Sequence, residues 1–301
     1  MYKNILILGG NGLVGSCLVK SLSELNYQIT ATYNNNDNRL FESKKVTYKK
    51  CNIEKKQMIN NLFLNKKFDV VINTISDFEN NIPKKNSIEK FIKVNIVGHQ
   101  NLIENSINNK VSLFIYFSSI SVYEESIFSK SGFSEESSCY PKSLYGASKI
   151  YAEKLLKINC LNSKLKGITL RISGVHGPER NSGVINKMFN DAIEFNRIFV
   201  AEPKSKFKLT FTEDLTLAVG KILEAKPKET YEVYNLAGDD TFTLKSLAVK
   251  IAKVAGSAKI TTKKNFKKRN QCMNTSKFKK KFNFKSRNLT KKLVAVFKSY
   301  N

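Results

Sequence analysis

The chain has 301 residues, 41% of them hydrophobic and 25% charged, enough to bury a full core and build one large domain with a smaller lobe. Lys and Arg number 51 against 25 Asp and Glu, a formal charge of +26 read first as Lys filling a solvated surface and second as a site for an anionic partner. Five scattered cysteines without a C-x-x-C pair exclude a disulfide framework and a zinc site, and only two histidines, His99 and His176, leave little for metal or triad chemistry.

Short apolar runs alternate with stretches of helical period, the pattern of a parallel sheet with crossover helices. Asn4 to Leu8 reads as a buried strand, Leu13 to Leu25 as a helix, Gln28 to Tyr33 and Val46 to Lys49 as further strands. Asp69 to Asn73 is a fourth strand, Ile88 to Ile107 a crossover helix, and Val111 to Ser118 a fifth strand. A helix over Leu144 to Ile158 and a strand over Gly167 to Ile172 follow. This is a doubly wound α/β sheet over 1–175. Beyond it the rhythm becomes helix-rich: Val184 to Phe195, Asp214 to Ala225, Leu244 to Val254 and Leu289 to Phe297, with a short strand at Glu232 to Leu236. Residues 176–301 are therefore a smaller substrate lobe, with some segments returning to the first domain. The apolar run Ile5 to Leu8 is too short for a signal peptide, and nothing reaches the roughly 20 residues of a membrane span, so a cytoplasmic protein is expected.

The charge is uneven. No carboxylate follows Asp240, while 14 Lys or Arg lie between Lys263 and Lys298. Phe266, Phe278, Phe282 and Phe284 punctuate this stretch, which reads as a Lys-rich surface anchored by Phe; no RNA-binding or helix-turn-helix signature accompanies it.

Three motifs carry chemistry. Gly9-Gly10-Asn11-Gly12-Leu13-Val14-Gly15 joins the first strand to the first helix, where glycines allow a tight turn and close approach of a pyrophosphate to the helix N-terminus. Tyr145 and Lys149, four apart on a helix, share a face, and the ammonium favours the phenolate, so a base is expected near neutrality. Ser118 and Ser119 sit at the carboxyl end of the fifth strand, where doubly wound sheets place ligands.

With these motifs in this order the chain resembles the extended short-chain dehydrogenases/reductases, of the NAD-dependent epimerase/dehydratase group acting on nucleotide sugars. Asn95-Ile96-Val97-Gly98, Arg171 to Pro178, Thr212-Glu213-Asp214-Leu215 and Tyr234 to Gly238 are similar to further family motifs. The resemblance implies that Tyr145 is the acid/base, that Lys149 holds the nicotinamide ribose, and that Ser119 bonds the reacting sugar oxygen. It puts Gly9, Gly12, Leu13, Val14 and Gly15 on the pyrophosphate, Asn52, Ile53 and Ser118 on the cofactor, and Asn95 on the substrate.

The departures narrow the expectation. The family's acidic residue at the end of the second strand is Tyr33 here, with Arg39 and Lys44 nearby, which favours NADP(H) over NAD(H). Ile120-Ser121 replaces the Asp-Glu of the dehydratases, against a 4,6-dehydratase. The arginine that clamps the substrate diphosphate falls at Phe207, so Lys206 and Lys208 are expected to serve as point charges. Asp69 to Thr74 resembles the 4-keto-sugar reductases of dehydrorhamnose type, whereas Ser118 to Tyr123 resembles the C4 epimerases; the reductase is expected, with the epimerase as alternative and a non-catalytic cofactor-binding protein as the competing class. A nucleotide-diphosphate sugar is the expected ligand. A homodimer, and an anionic membrane surface met by the basic C-terminal region, are the further partners considered; nucleic acid is not expected. His99 and His176 read as packing or lining residues, Cys139 as a filler, and Asn52 equally as a helix cap.

Overall fold

The computed structural model describes residues 2–35, 39–78, 87–123, 132–263 and 270–300. Branched residues in short runs build the sheet. β1 (Asn4–Leu8), β2 (Gln28–Tyr33), β3 (Val46–Lys50), β4 (Val70–Asn73), β5 (Leu113–Ser119) and β6 (Lys166–Ile172) alternate with α1 (Leu13–Ser23), α2 (Lys56–Phe63), the crossover α3 (Ser87–Phe91) and α4 (His99–Asn108), and α5 (Leu144–Leu161). Next come β7 (Val175–His176), α6 (Val184–Phe195), β8 (Arg197–Val200), β9 (Lys206–Phe207), β10 (Thr210–Phe211), α7 (Thr212–Ala225) and β11 (Tyr231–Leu236). β12 (Phe242–Thr243), α8 (Leu244–Val254), β13 (Lys259–Thr262), β14 (Asn270–Gln271), α9 (Ser276–Phe282) and α10 (Leu289–Lys298) complete the chain.

Seven strands form one sheet in the order β11-β6-β5-β4-β1-β2-β3. Pairing is parallel from Ile5↔Ile29 and Ile5↔Val70 to Val70↔Leu113 and Ile29↔Val46. The reversal of strand order at β1 opens the crevice in which such sheets bind ligands. β1, β4 and β5 are buried almost end to end, as strands covered by helices on both faces must be. On one face Leu6, Leu8, Val71, Phe114 and Tyr116 meet Leu102 and Ile103 of α4 and Ala152, Leu156 and Cys160 of α5.

Two compact units divide the described residues. The first holds 2–35, 39–78, 87–123, 138–171 and 216–234; the second holds 132–137, 172–215, 235–263 and 270–300. The strand expected in the smaller lobe, β11, instead edges the large sheet beside β6, where Gly167 N donates to the Thr230 carbonyl (2.9 Å). Its partner lies more than sixty positions away, so no local pattern placed it. The helix that the capping reading of Asn52 implied is α2; the pair β8–β13 was not anticipated. The stretch read as lacking periodicity contains α9, whose Phe278 and Phe282 are buried together with Phe284; Phe266 lies outside the described residues.

The crossover is also less uniform than its period suggested. Between α3 and α4 the chain widens into a π-helical turn, Ile92–Gly98. Gly98 ends it against Ile53, where a Cβ would lie 2.8 Å from the Ile53 carbonyl oxygen.

Candidate active site

The glycine turn leaves β1 with Gly9 at φ +79°, a conformation that favours glycine. Gly12 N donates to the Gly9 carbonyl (2.9 Å), and Gly9 N and Gly10 N donate to the Thr32 hydroxyl (3.1 Å) and carbonyl (2.7 Å), which fixes the turn to β2. A Cβ on Gly15 would stand 2.0 Å from the Gly9 carbonyl oxygen. Helix α1 therefore starts hard against the turn; its Gly12 N-cap offers no side-chain acceptor, which leaves the first-turn amides at Leu13 and Val14 to an outside anion.

Above the turn opens a cleft of about 430 Å³ at the carboxyl ends of β1 to β4. Gly9, Gly12, Tyr33, Asn52, Ile53 and Ser76 line it, with Asn34, Asn35 and Glu54. Neither Arg39, which is exposed, nor Lys44 lines it. Asn52 Oδ1 accepts from Glu54 N (2.9 Å), so its side chain caps the turn before α2.

Ser119 ends β5 and Tyr145 lies in the first turn of α5, which Ser143 caps by accepting from Gly146 N (3.0 Å). The Tyr145 hydroxyl shares hydrogen bonds with Ser119 and with Ser76, a residue that nothing in the sequence singled out. Ser119 also accepts from Ser121 N (3.1 Å), and the Phe78 ring meets that of Tyr145 edge-on at 4.8 Å. Lys149 Nζ donates to the Phe117 carbonyl (2.8 Å) and lies 5.7 Å from the Tyr145 ring centre.

The proton affinities differ from expectation. Burial holds Tyr145 above its ordinary value, against hydrogen bonds from Ser119 and Ser76 that pull it down. Burial also draws Lys149 down to about 7, against the carboxylate of Glu153. Burial outweighs the Ser119 and Ser76 hydrogen bonds at Tyr145, so its hydroxyl holds its proton more tightly than a free tyrosine does, where the helix spacing alone had suggested less tightly.

Beneath these groups the polar residues are paired. Asn95, in the π-helical turn, accepts from Asp77 N (2.8 Å) and donates to the Asp77 carbonyl (3.1 Å) and the Ser148 hydroxyl (3.0 Å). It was expected on the substrate; here its side chain ties the loop after β4 to α5. Asn73 Nδ2 donates to His99 Nδ1 (3.0 Å), and burial with the nearby Lys149 pushes His99 down to about 3, so the imidazole is neutral. Ser118, expected on the cofactor, gives its hydroxyl to Glu153.

In the second unit Lys206, Lys208, Thr241, Cys272 and Asn274 line a polar pocket of about 240 Å³. Phe207, between the lysines, packs instead on the apolar cluster of Ile185, Phe189 and Leu247. Alternation along a strand separates the two faces. Burial and the Lys279 charge lower the Lys208 ammonium. Asp214 is buried against Lys292 of α10 (2.5 Å), and His176, buried beside Arg180, is pushed down to about 3.

Residues 5–237 match the model of the "NAD dependent epimerase/dehydratase family". The chain is 28% identical over 273 residues to dTDP-D-glucose 4,6-dehydratase of Dictyostelium discoideum, covering 84% of this chain and 62% of that protein. To UDP-glucose 4-epimerase of Vibrio cholerae it is 28% identical over 203 residues, 59% of this chain and 53% of that one. The chain thus spans between half and two thirds of these relatives' lengths. Among solved structures, UDP-glucose 4-epimerase of Thermotoga maritima with UDP-glucose superposes with a TM-score of 0.84 at 21% identity, covering 99% of this chain and 98% of that one. The Bordetella bronchiseptica enzyme WbmH in complex with NAD+ superposes with 0.83 at 19%, with the same coverage. At these identities the structural likeness is one of fold.

Proposed function

The chain belongs to the NAD-dependent epimerase/dehydratase family, and on that footing we propose that it moves a hydride between a nicotinamide dinucleotide and a ring carbon of a nucleotide-linked sugar, while Tyr145 moves the proton. The observation that carries this reading is the joining of the Ser119 and Tyr145 hydroxyls at the carboxyl edge of the sheet, beside Lys149. The cleft suits the cofactor: a Cβ would fill the cradle at Gly15, the first-turn amides of α1 suit a pyrophosphate, and Ile53 offers an apolar wall. A nicotinamide held there would exchange the hydride with the sugar carbon. Ser119 orients the sugar oxygen, and Tyr145 takes that oxygen's proton when the carbon is oxidised and returns it when the carbon is reduced. Lys206 and Lys208, lining their own polar pocket in the second unit, suit an anionic group as point charges.

Elimination of water finds no support, since Ile120 and Ser121 follow Ser119 where a carboxylate pair would be needed. Tyr33, Asn34 and Asn35 in the lining, with Arg39 and Lys44 not among the lining residues, support NAD and with it a C4 epimerase, which oxidises and re-reduces one carbon. The 4-keto reductase with NADPH keeps one support: Tyr33 puts no carboxylate against a 2′-phosphate. A purified preparation that retains NAD and converts UDP-glucose to UDP-galactose without net change in NADH supports the epimerase. Stoichiometric NADPH oxidation on a 4-keto-sugar nucleotide supports the reductase. Tyr145→Phe should lower kcat by about 10² to 10⁴ with cofactor binding kept; unchanged turnover would refute its role.

Two partners belong to the same reading. A second copy would cover the apolar stripe Leu144, Tyr151, Ile158 and Leu161, exposed on α5, and an anionic membrane would meet the lysines after Asp240. The absence of any carboxylate among those lysines supports the latter, and the lack of disulfides among the cysteines supports a reducing, cytoplasmic setting.

A further inference from the structure

Ser119 and Tyr145 stand on different elements, a strand and a helix, which share no backbone hydrogen bonds with one another. Their spacing must be set by side chains. Two ties do this, one helical turn apart. Lys149 Nζ donates to the carbonyl of Phe117, and Glu153 Oε1 accepts from the hydroxyl of Ser118 (2.5 Å). The strand residues are the two that precede Ser119, and the helix residues follow Tyr145 by four and eight positions, on its own face.

The carboxylate that makes the second tie is itself held. Arg171 of β6 donates from Nε to both Glu153 oxygens (3.1 and 3.2 Å) and from Nη2 to Oε2 (2.7 Å), while its Nη1 donates to the Tyr123 hydroxyl (3.0 Å). Ser118, Lys149, Glu153 and Arg171 are each no more than 5% exposed. Charges buried this deeply cost desolvation, and well-packed apolar side chains would hold a helix on a strand at least as firmly. What an apolar contact lacks is direction. The forked pair with Arg171 fixes the Glu153 carboxylate against β6, and the single bond from Ser118 carries that fixed point to β5, which sets the slide of α5 along it.

We propose that Glu153 is a positioning residue: with Lys149 it fixes the end of β5 to α5 in one register, with Arg171 and Tyr123 holding its carboxylate, and so sets the reach between Ser119 and Tyr145. The inference rests on the proposed roles of those two hydroxyls.

Ser118→Ala tests it by removing the tie while leaving the Glu153–Arg171 pair intact. With UDP-glucose as probe, kcat should fall ten- to a hundredfold, an effect on the order of those seen for slight misplacement of reacting groups, while the Kd for NAD and the KM stay within about twofold. Hydrogen exchange followed by mass spectrometry should quicken in the peptide over 117–122 and stay unchanged in β1 and β4. Glu153→Gln should do the same if it folds; if it does not, Ser118→Ala decides alone. Unchanged kcat in Ser118→Ala with a lowered Tm, or exchange that quickens evenly through the sheet, would make the tie a stabilising contact only and overturn the proposal. If the unaltered protein turns over no sugar nucleotide, the activity reading fails, while the exchange measurement still judges the brace.

Discussion

His99 and His176 show how a single residue acquires a property that its type does not predict. Both are pushed to about 3 by burial, far below the ordinary value near 6.5. Between those values the unfolded chain binds protons that the folded one refuses. Stability is therefore full above about pH 6.5 and falls as the solution is acidified toward 3. Each histidine should cost on the order of 1 kcal/mol per pH unit within that window. Thermal melts between pH 7.5 and 4.5 should show Tm falling, and His99→Gln should flatten the slope; a slope unchanged in that variant would assign the loss elsewhere. Tyr145 belongs beside them. Its position on the helix is local, but its retention of a proton is set by what buries it.

At the scale of elements, the glycine turn and helix α5 are the informative pieces. Gly15→Ala would push a methyl into the Gly9 carbonyl, which sits on a turn bonded to β2 and cannot retreat. Such overpacking typically costs about 1–3 kcal/mol, and the shifted amides should also weaken NAD binding by at least tenfold, measurable by calorimetry. Helix α5 carries Tyr145, Lys149 and Glu153 on one face and the exposed stripe Leu144, Tyr151, Ile158 and Leu161 on another. Ile158 and Leu161 are each more than half exposed, an apolar surface that water leaves uncovered only at a cost. Ile158→Glu should shift the protein to a monomer by light scattering after gel filtration, if the stripe is the contact between copies. A mass unaffected by the substitution rules that contact out.

For the whole molecule, charge is the property that no single element accounts for. Among the described residues Lys279 pairs with Asp239, Arg287 with Glu213 and Lys292 with Asp214, and most of the lysines after Asp240 are exposed. Vesicles containing about one third anionic lipid should sediment the protein at low salt and release it as ionic strength rises, because such attraction is screened over a Debye length of about 10 Å at 0.1 M. Equal binding to neutral vesicles, or retention at high salt, would count against an electrostatic surface.

Contiguous residues determined the doubly wound sheet, the glycine turn and the pairing of Tyr145 with Lys149, because a strand, a tight turn and an i,i+4 helix face each leave a periodic or compositional trace a few residues long. The trace reached as far as the strand-end Ser119 and the neutral Tyr33. It did not reach Ser76, which comes to Tyr145 from a loop without regular period, or Glu153, whose tie to Ser118 spans 35 positions. Nor could it place β11 in the large sheet, seat Phe207 in the apolar cluster between two lysines of a pocket, or give the direction in which burial moves the tyrosine's proton affinity. These were decided by tertiary structure alone, since burial and long-range pairing depend on which distant segment covers a residue, and no local pattern records that.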